Sequence, residues 1–494
     1  MFKLWRIGAK EEKNSTEPMV GPLTSKEIKR VLGDSNDVFI KDIYTWNKNI
    51  EIRAIGIDGM IDSDSIDEYV LRPLTVGRIF ENVKSEKEAY EIAKNGFLYH
   101  MSQTEVNTLQ DAITNILQGV TVIVFDNVKK AIAFDAKNIP QRGINAPEEE
   151  NVLKGAKDSF IESMRTNTAL VRKKIKSPDL RLEKYTLGKE TNTPLTVVYL
   201  NNVVDRDILN RVREKIKKLD IANLISAGSF EGNMKDNKYS VFPQLDYTER
   251  VDKFCANITD GKIGVIIDGL PIAYIIPGLF AMFLQAPEDY AENYILSSAI
   301  RILRYICFLI SLILPAFYVA ITTFHQEMIP TNLLNSIISS KEGVPFPTLI
   351  EVIGLLISFE LLLEASLRLP QTIGATISIV GALIVGEAAV NAKFISPAVV
   401  VIIAITAVAG FVIPSRGLAD AIRVCRMIMV FVAGLSGLFG ISFIIFIILF
   451  YLCKLESFGV PYLTPFVGNE GHGILDDTLV RTPKDVGKEK VSYE

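Results

Sequence analysis

The chain has 494 residues, more than one hydrophobic core sustains, so two or three domains are expected. Its balance of 53 basic and 57 acidic residues gives a net charge of −4, which removes any electrostatic case for nucleic-acid binding. The average conceals an asymmetry. Residues 1–259 are charge-rich with apolar runs of strand or amphipathic-helix length, whereas residues 300–453 are dominated by long apolar runs.

The opening MFKLWRIGAKEEKNSTEP has no apolar core of signal-peptide length, so the N-terminal half is expected to stay unexported. Cys255 is followed by Cys307, Cys425 and Cys453, the last three in or beside apolar segments. With no CxxC and no metal spacing they read as packing residues, and a reducing surrounding is implied.

Two stretches echo each other: QGVTVIVFDNVKKAIAFD from Gln118 and DGKIGVIIDGLPIAYIIP from Asp260. Gly119 and Gly261 each precede an apolar run that ends at Asp126 or Asp268, at equal spacing, and a second apolar run follows. Asp268-Gly269 between β-rich runs predicts a hairpin, and its turn residues argue against a membrane span there. Helical patterns precede both: Thr104–Leu117 before the first, and Arg206–Leu219 with Tyr247–Asn257 before the second.

The expected fold is therefore an α/β N-terminal half of two similar subdomains, residues 1–145 (with an N-terminal extension) and 146–294. Two lobes leave a ligand-binding cleft and a plain assembly platform open; the lack of a convergent polar cluster favours the platform. His100, His325 and His472 are the only histidines, none in a metalloprotease or nucleophile-elbow context, and there is no phosphate-binding glycine loop. No enzyme, cofactor or metal is expected.

Residues 295–453 are expected to form an all-α transmembrane bundle of about five helices, followed by a polar tail, 454–494. Tyr305–Phe324, Phe394–Ser415 and Met427–Cys453 are long enough to cross the hydrocarbon. Gln371–Gly386 runs on to Val390 with Glu387 as its interruption. Thr348–Leu369 is apolar but carries Glu351, Glu360, Glu364 and Arg368.

Carboxylates at membrane depth are costly unless paired or wet, so they are functional candidates. Glu360, Glu364 and Arg368 fall on one helical stripe, and Glu364 and Arg368 have the spacing of an ion pair. The other reading is an interfacial helix with a charged face. In the third apolar segment Gly374, Ser378, Gly381 and Ala388 share a small-residue face suited to close packing. Opposite lie Thr376, Ile379, Val380, Leu383 and Glu387. In an oligomer this face lines a pore, with a Leu383 ring as a dewetting constriction and a Glu387 ring favouring cations. Alternatively, Leu383 meets lipid and Glu387 ends the helix.

Arg301 and Arg304 precede the first span, and Arg416, Arg423 and Arg426 precede the last. The positive bias places both sets, and the N-terminal half, inside. With five crossings the tail falls outside despite Lys454, Arg481, Lys484, Lys488 and Lys490, unless one segment does not cross.

PEEENVLKGAKDSFIESMRTNTALVR (Pro147–Arg172), NKYSVFPQLDYTER (Asn237–Arg250), LQAPEDYAE (Leu284–Glu292) and TTFHQEMIPT (Thr322–Thr331) resemble blocks of one family. So do Leu361–Val390 with the following ISP at Ile395–Pro397, and SFGVPYLTP at Ser457–Pro465. Together they resemble the A subunit of the GerA-type spore germinant receptors.

The resemblance implies a multi-pass protein of the bacterial endospore inner membrane, its N-terminal half on the spore-core side. It implies a homo-oligomeric, pentameric channel for monovalent cations, gated by nutrient. The implied partners are a B subunit of the amino-acid transporter class, which binds germinant, and a lipoprotein C subunit. The family's constriction residue aligns with Leu383; Gln is common in the family where this chain has Glu387. Two other readings stand beside it: the homologous stage V sporulation protein of the SpoVA operon, without a nutrient partner of its own, and a secondary transporter using Glu360, Glu364 and Glu387 as ion sites.

Overall fold

The computed structural model describes residues 21–45, 50–81, 83–98, 100, 102–138, 150, 155–368, 386–467 and 478–480. These divide into two units: one from residues up to 235 together with 245–277, the other from 236–244 together with residues from 278 onward.

The first unit contains two five-stranded antiparallel sheets. Strands β1 (Val38–Tyr44), β2 (Glu51–Ile57), β3 (Gln103–Val106), β4 (Thr121–Phe125) and β5 (Lys130–Phe134) run β1-β2-β4-β5-β3. Strands β6 (Leu180–Leu187), β7 (Thr193–Leu200), β8 (Asp246–Thr248), β9 (Ile263–Ile267) and β10 (Ala273–Ile276) run β6-β7-β9-β10-β8. The two orders are the same, position by position.

Helices α1 (Ser25–Leu32), α2 (Glu86–Ile92) and α3 (Leu109–Leu117) belong to the first lobe. Helices α4 (Met164–Lys174), α5 (Arg206–Lys218), α6 (Ala227–Met234) and α7 (Val251–Thr259) belong to the second. The central strand β4 is buried at every position because its two faces serve different cores. Ile123 and Phe125 join Val70, Leu74 and Tyr90 on one side, while Val122 and Val124 join Ile28, Ile113 and Ile116 on the other.

The echoed stretches form the β4–β5 and β9–β10 hairpins, and the likeness extends to details. Gly119 and Gly261 take left-handed φ values of 82° and 92° just past α3 and α7. A Cβ at either would press to 3.1 Å on Met60 or Val203, in the turns after β2 and β7. Asp126 accepts the backbone N–H of Ser25 at 2.6 Å, and Asp268 that of Met164 at 3.0 Å, so each hairpin aspartate holds the first turn of the helix preceding its lobe.

The lobes join through residues 35–37, which extend the edge of the second sheet. Asn36 N donates to Leu182 O at 2.9 Å, and Leu182 N to Ser35 Oγ at 3.1 Å. Arg172 of α4, 1% exposed, clamps this segment. Its guanidinium reaches Asp37 at 2.6 and 3.1 Å, Ser35 Oγ at 3.0 Å and Leu180 O at 3.0 Å.

The second unit holds α8 (Tyr294–Thr323), α9 (Thr331–Lys341), α10 (Thr348–Arg368), α11 (Pro397–Phe411) and α12 (Arg416–Lys454). A small hairpin follows, β11 (Glu456–Ser457) with β12 (Val460–Pro461). Among the described residues, α8 and α12 are long and apolar enough to cross a membrane, and α11 is a shorter apolar helix.

Helix α12 reverses at Gly437, whose φ of 60° and ψ of −143° are non-helical. A Cβ on Gly440 would lie 2.8 Å from Val432 O, a meeting no straight helix permits over that separation. Both ends of α12 accordingly return to one place. A Cβ on Gly417 would touch Pro243 at 3.2 Å, and the Tyr451 ring lies 6.1 Å from that of Phe242. A straight helix would separate residues 417 and 451 by about 50 Å.

The chain after α12 packs at the same place. Ser457 Oγ donates to Gln244 O at 2.7 Å and Phe280 N to Tyr462 O at 2.9 Å, while Tyr462 is buried against Phe242, Phe280 and Phe283.

Arg172→Ala leaves Asp37 buried without its cation and is expected to cost about 3–5 kcal/mol. Urea unfolding of the detergent-solubilised full chain, followed by circular dichroism, checks this; the double change Asp37→Asn with Arg172→Met should lose less.

Candidate functional site: buried charges of the helical unit

Helix α8 starts where Asn293 accepts from Ile295 N at 3.0 Å. Arg301 and Arg304, on its first turns, are both buried on Asp289. Arg301 Nε lies 3.0 Å from Asp289 Oδ2, and Arg304 Nη1 lies 2.8 and 2.7 Å from the two carboxylate oxygens. Arg301 also stacks over the Tyr290 ring at 5.3 Å. These arginines, taken from sequence as topology-setting flank charges, are interior groups held by the LQAPEDYAE segment.

Glu360, on α10, makes its ion pairs with α12. Arg426 Nη2 is 3.0 Å from Glu360 Oε1, and Arg423 Nη1 is 3.7 Å from Oε2. Arg426 is buried and also approaches Ser311 Oγ of α8 at 3.5 Å; Arg423 is shared with Asp420 at 3.1 Å. Three helices thus meet around one carboxylate, beside a cleft lined by Ser311, Phe359, Leu363, Phe411, Arg423 and Arg426. Glu364 is exposed on α10, and the Arg368 side chain lies outside the described residues.

Glu351, in the first turn of α10, is fully buried. Its Oε2 accepts the N–H of Ser396, the residue that caps α11, at 2.8 Å, and Lys341 Nζ lies 3.2 Å from Oε1.

Of the expected pore-lining residues, Thr376, Ile379, Val380 and Leu383 lie outside the described residues, as do Gly374, Ser378 and Gly381 on the expected packing face. Glu387 is described: it is exposed, on a helical stretch spanning 386–390.

Sequence reasoning missed the cross-helix partners. Arg423 and Arg426 stood as orientation markers and Glu351 as one more charge in a span. The available signal was Glu360, whose removal from water at membrane depth requires a cation of comparable depth. Arg426 lies ten residues inside α12.

A tandem α/β repeat, with an apolar helical unit that carries buried, paired charges, defines a protein with a large polar portion and helices of membrane-spanning length. The chain belongs to the Bacillus/Clostridium GerA spore germination protein family, whose family model matches residues 26–493. It is 34% identical over 471 residues to spore germination protein KA of Bacillus subtilis (strain 168), covering 94% of this chain and 85% of that protein. It is 37% identical over 430 residues to the uncharacterized membrane protein YfkQ of the same organism, covering 86% and 82%. Among solved structures it is similar to the N-terminal domain of the A subunit of the Bacillus megaterium spore germinant receptor GerK3, with 25% identity, 53% of this chain and 98% of that chain covered, and a TM-score of 0.42.

Glu360→Ala strands Arg426 in the helical unit, whereas Glu364→Ala removes a group on an exposed face. The first is expected to destabilise by about 3–5 kcal/mol and the second by under about 1 kcal/mol. Thermal unfolding of both variants in detergent checks the ranking, and a Glu360/Arg426 double-mutant cycle should show coupling of about 1–3 kcal/mol.

Proposed function

We propose that this chain is a germinant-receptor A-type subunit of the spore membrane, non-enzymatic, which oligomerises as a ring (a pentamer) and passes monovalent cations when a nutrient-binding partner is occupied. The observation that carries the receptor reading is the family match across residues 26–493, both units included. The implied partners are a B subunit of the amino-acid transporter class and a lipoprotein C subunit. Conduction is supported by the exposure of Glu387 immediately after the expected pore face: in an oligomer an exposed carboxylate on that helical stretch faces water in the lumen.

The geometry of α12 also supports a topology. Its two arms, residues 416–436 and 438–454, are each near the length of a membrane crossing, about 30 and 25 Å. With α8, α10, α11 and the expected third span, the crossings number six. An even number returns the C-terminal tail to the side of residues 236–244. On this reading the tail's lysines and arginines obey the positive bias, which five crossings would break.

Two measurements test this reading. Purified wild type in liposomes is expected to be closed to potassium, and Leu383→Ala to leak it at least about tenfold faster by loss of a dewetting constriction; equal flux, with folding confirmed, would remove the gate from Leu383. For topology, a cysteine at Ser492 and one at Asp236 in a cysteine-free variant are expected to react with an impermeant maleimide from the same side of sealed vesicles. Labelling from opposite sides would restore an odd number of crossings.

A further inference from the structure

The environment of Glu351 is not accounted for by packing or by the conduction reading. Four side-chain oxygens from different elements gather there: Glu351 and Thr348 of α10, Tyr318 of α8, and Ser396, which caps α11. All four residues are buried. Tyr318 interacts electrostatically with the Glu351 carboxylate and with the Ser396 side chain. Two of these atoms, Tyr318 Oη and Ser396 Oγ, have no hydrogen-bond partner among the described residues, and Glu351 Oε1 has the Lys341 ammonium as a charge contact only.

An unpartnered hydroxyl in an apolar interior is unfavourable by about 1–3 kcal/mol, so two of them beside a buried carboxylate mark a place built to hold something. Lys341 Nζ stands 3.2 Å from Glu351 Oε1 as a charge contact, and donates its hydrogen bond to Thr348 Oγ1. Its side chain is 26% exposed, so the ammonium has a route to solvent.

Oxygen donors without nitrogen or sulfur select hard cations. A single carboxylate neutralises a single positive charge, and a divalent ion would leave net charge buried.

We propose that Glu351, Tyr318, Ser396 and Thr348 form a binding site for an alkali-metal cation, and that the Lys341 ammonium is its tethered competitor. In the ion-free state Lys341 neutralises Glu351. In the ion-bound state the cation takes the hydroxyls and the carboxylate oxygen, and Lys341 turns outward. The ion then ties α8, α10 and the start of α11 together, while Glu351 Oε2 continues to fix Ser396 N. The site uses none of the residues expected on the pore face, so its occupancy does not require flux and its failure leaves the conduction reading standing.

The test uses the full-length chain in detergent, exchanged into N-methyl-D-glucamine chloride, with equilibrium binding of radioactive rubidium in competition with sodium or potassium. Saturable binding near one ion per chain is expected. Tyr318→Phe and Ser396→Ala should each weaken it by about tenfold, and Glu351→Gln should abolish it. Lys341→Met removes the competitor and should tighten binding by about tenfold or more, a gain that misfolding cannot imitate. Absence of saturable binding in both wild type and Lys341→Met, with unchanged unfolding temperature, would overturn the proposal and leave a bridging water as the occupant. Binding unaffected by Tyr318→Phe and Ser396→Ala would likewise overturn it, by placing the ion elsewhere.

Discussion

A guanidinium among apolar helices has to meet a carboxylate, and the helical unit is organised around that requirement. Arg426 is too far inside α12 to reach solvent, so Glu360 of α10 must stand opposite it, at 3.0 Å. That pairing sets the rotation of α10 about its own axis, because only one stripe of the helix can face α12. Glu364, four residues on, stays near the same stripe but is exposed, while Glu351, nine residues back and so on the opposite side of α10, receives Ser396 N. The start of α11 is thus fixed by a second buried carboxylate, on the other side of α10. Replacing the pair by apolar residues could leave the unit as stable, but it would remove the register that the charges impose.

The polar unit uses a related device at its seam. Arg172 reaches from the second lobe to Asp37 of the first, and the residues around Asp37 add to the free edge of β6. The exposed edge of a sheet is a ready template for mispairing, and here part of it is consumed by the partner lobe. Elsewhere in the second lobe Lys253 lies between Asp246 at 3.0 Å and Glu150 at 2.9 Å. Burial alone would push its ammonium down, yet the two carboxylates hold it well above the usual lysine value. In both units, buried charges closed on one another hold separate elements together.

The repeat was legible in the sequence because its markers are local: a glycine forced to positive φ at each helix end, an aspartate at each hairpin, and β-branched runs between them. Strand order was not, since the placement of β3 and β8 at the far edges depends on which helix covers which face. The edge hairpins β1–β2 and β6–β7 carry weaker alternation and went unrecognised. In the helical unit the apolar runs were legible, but Glu360 and Arg426 are 66 residues apart and nothing local pairs them. The reversal in α12 was hidden by an unbroken apolar run. Its trace is the spacing of Gly434, Gly437 and Gly440, where the first and last admit close contact and the middle one supplies the backbone angle.

That reversal also decides what the helical unit is built around. Because both ends of α12 return to residues 242–243, the helical unit closes around the segment 236–244, which the chain borrows from the middle of the second lobe. The covalent path therefore passes between the two units at 235–236, 244–245 and 277–278. Strand β8 begins at Asp246, and β10 ends at Ile276, each within two residues of a crossing. Gly278 N is bonded to Gln244 O at 2.9 Å, so two of the crossings are tied to each other.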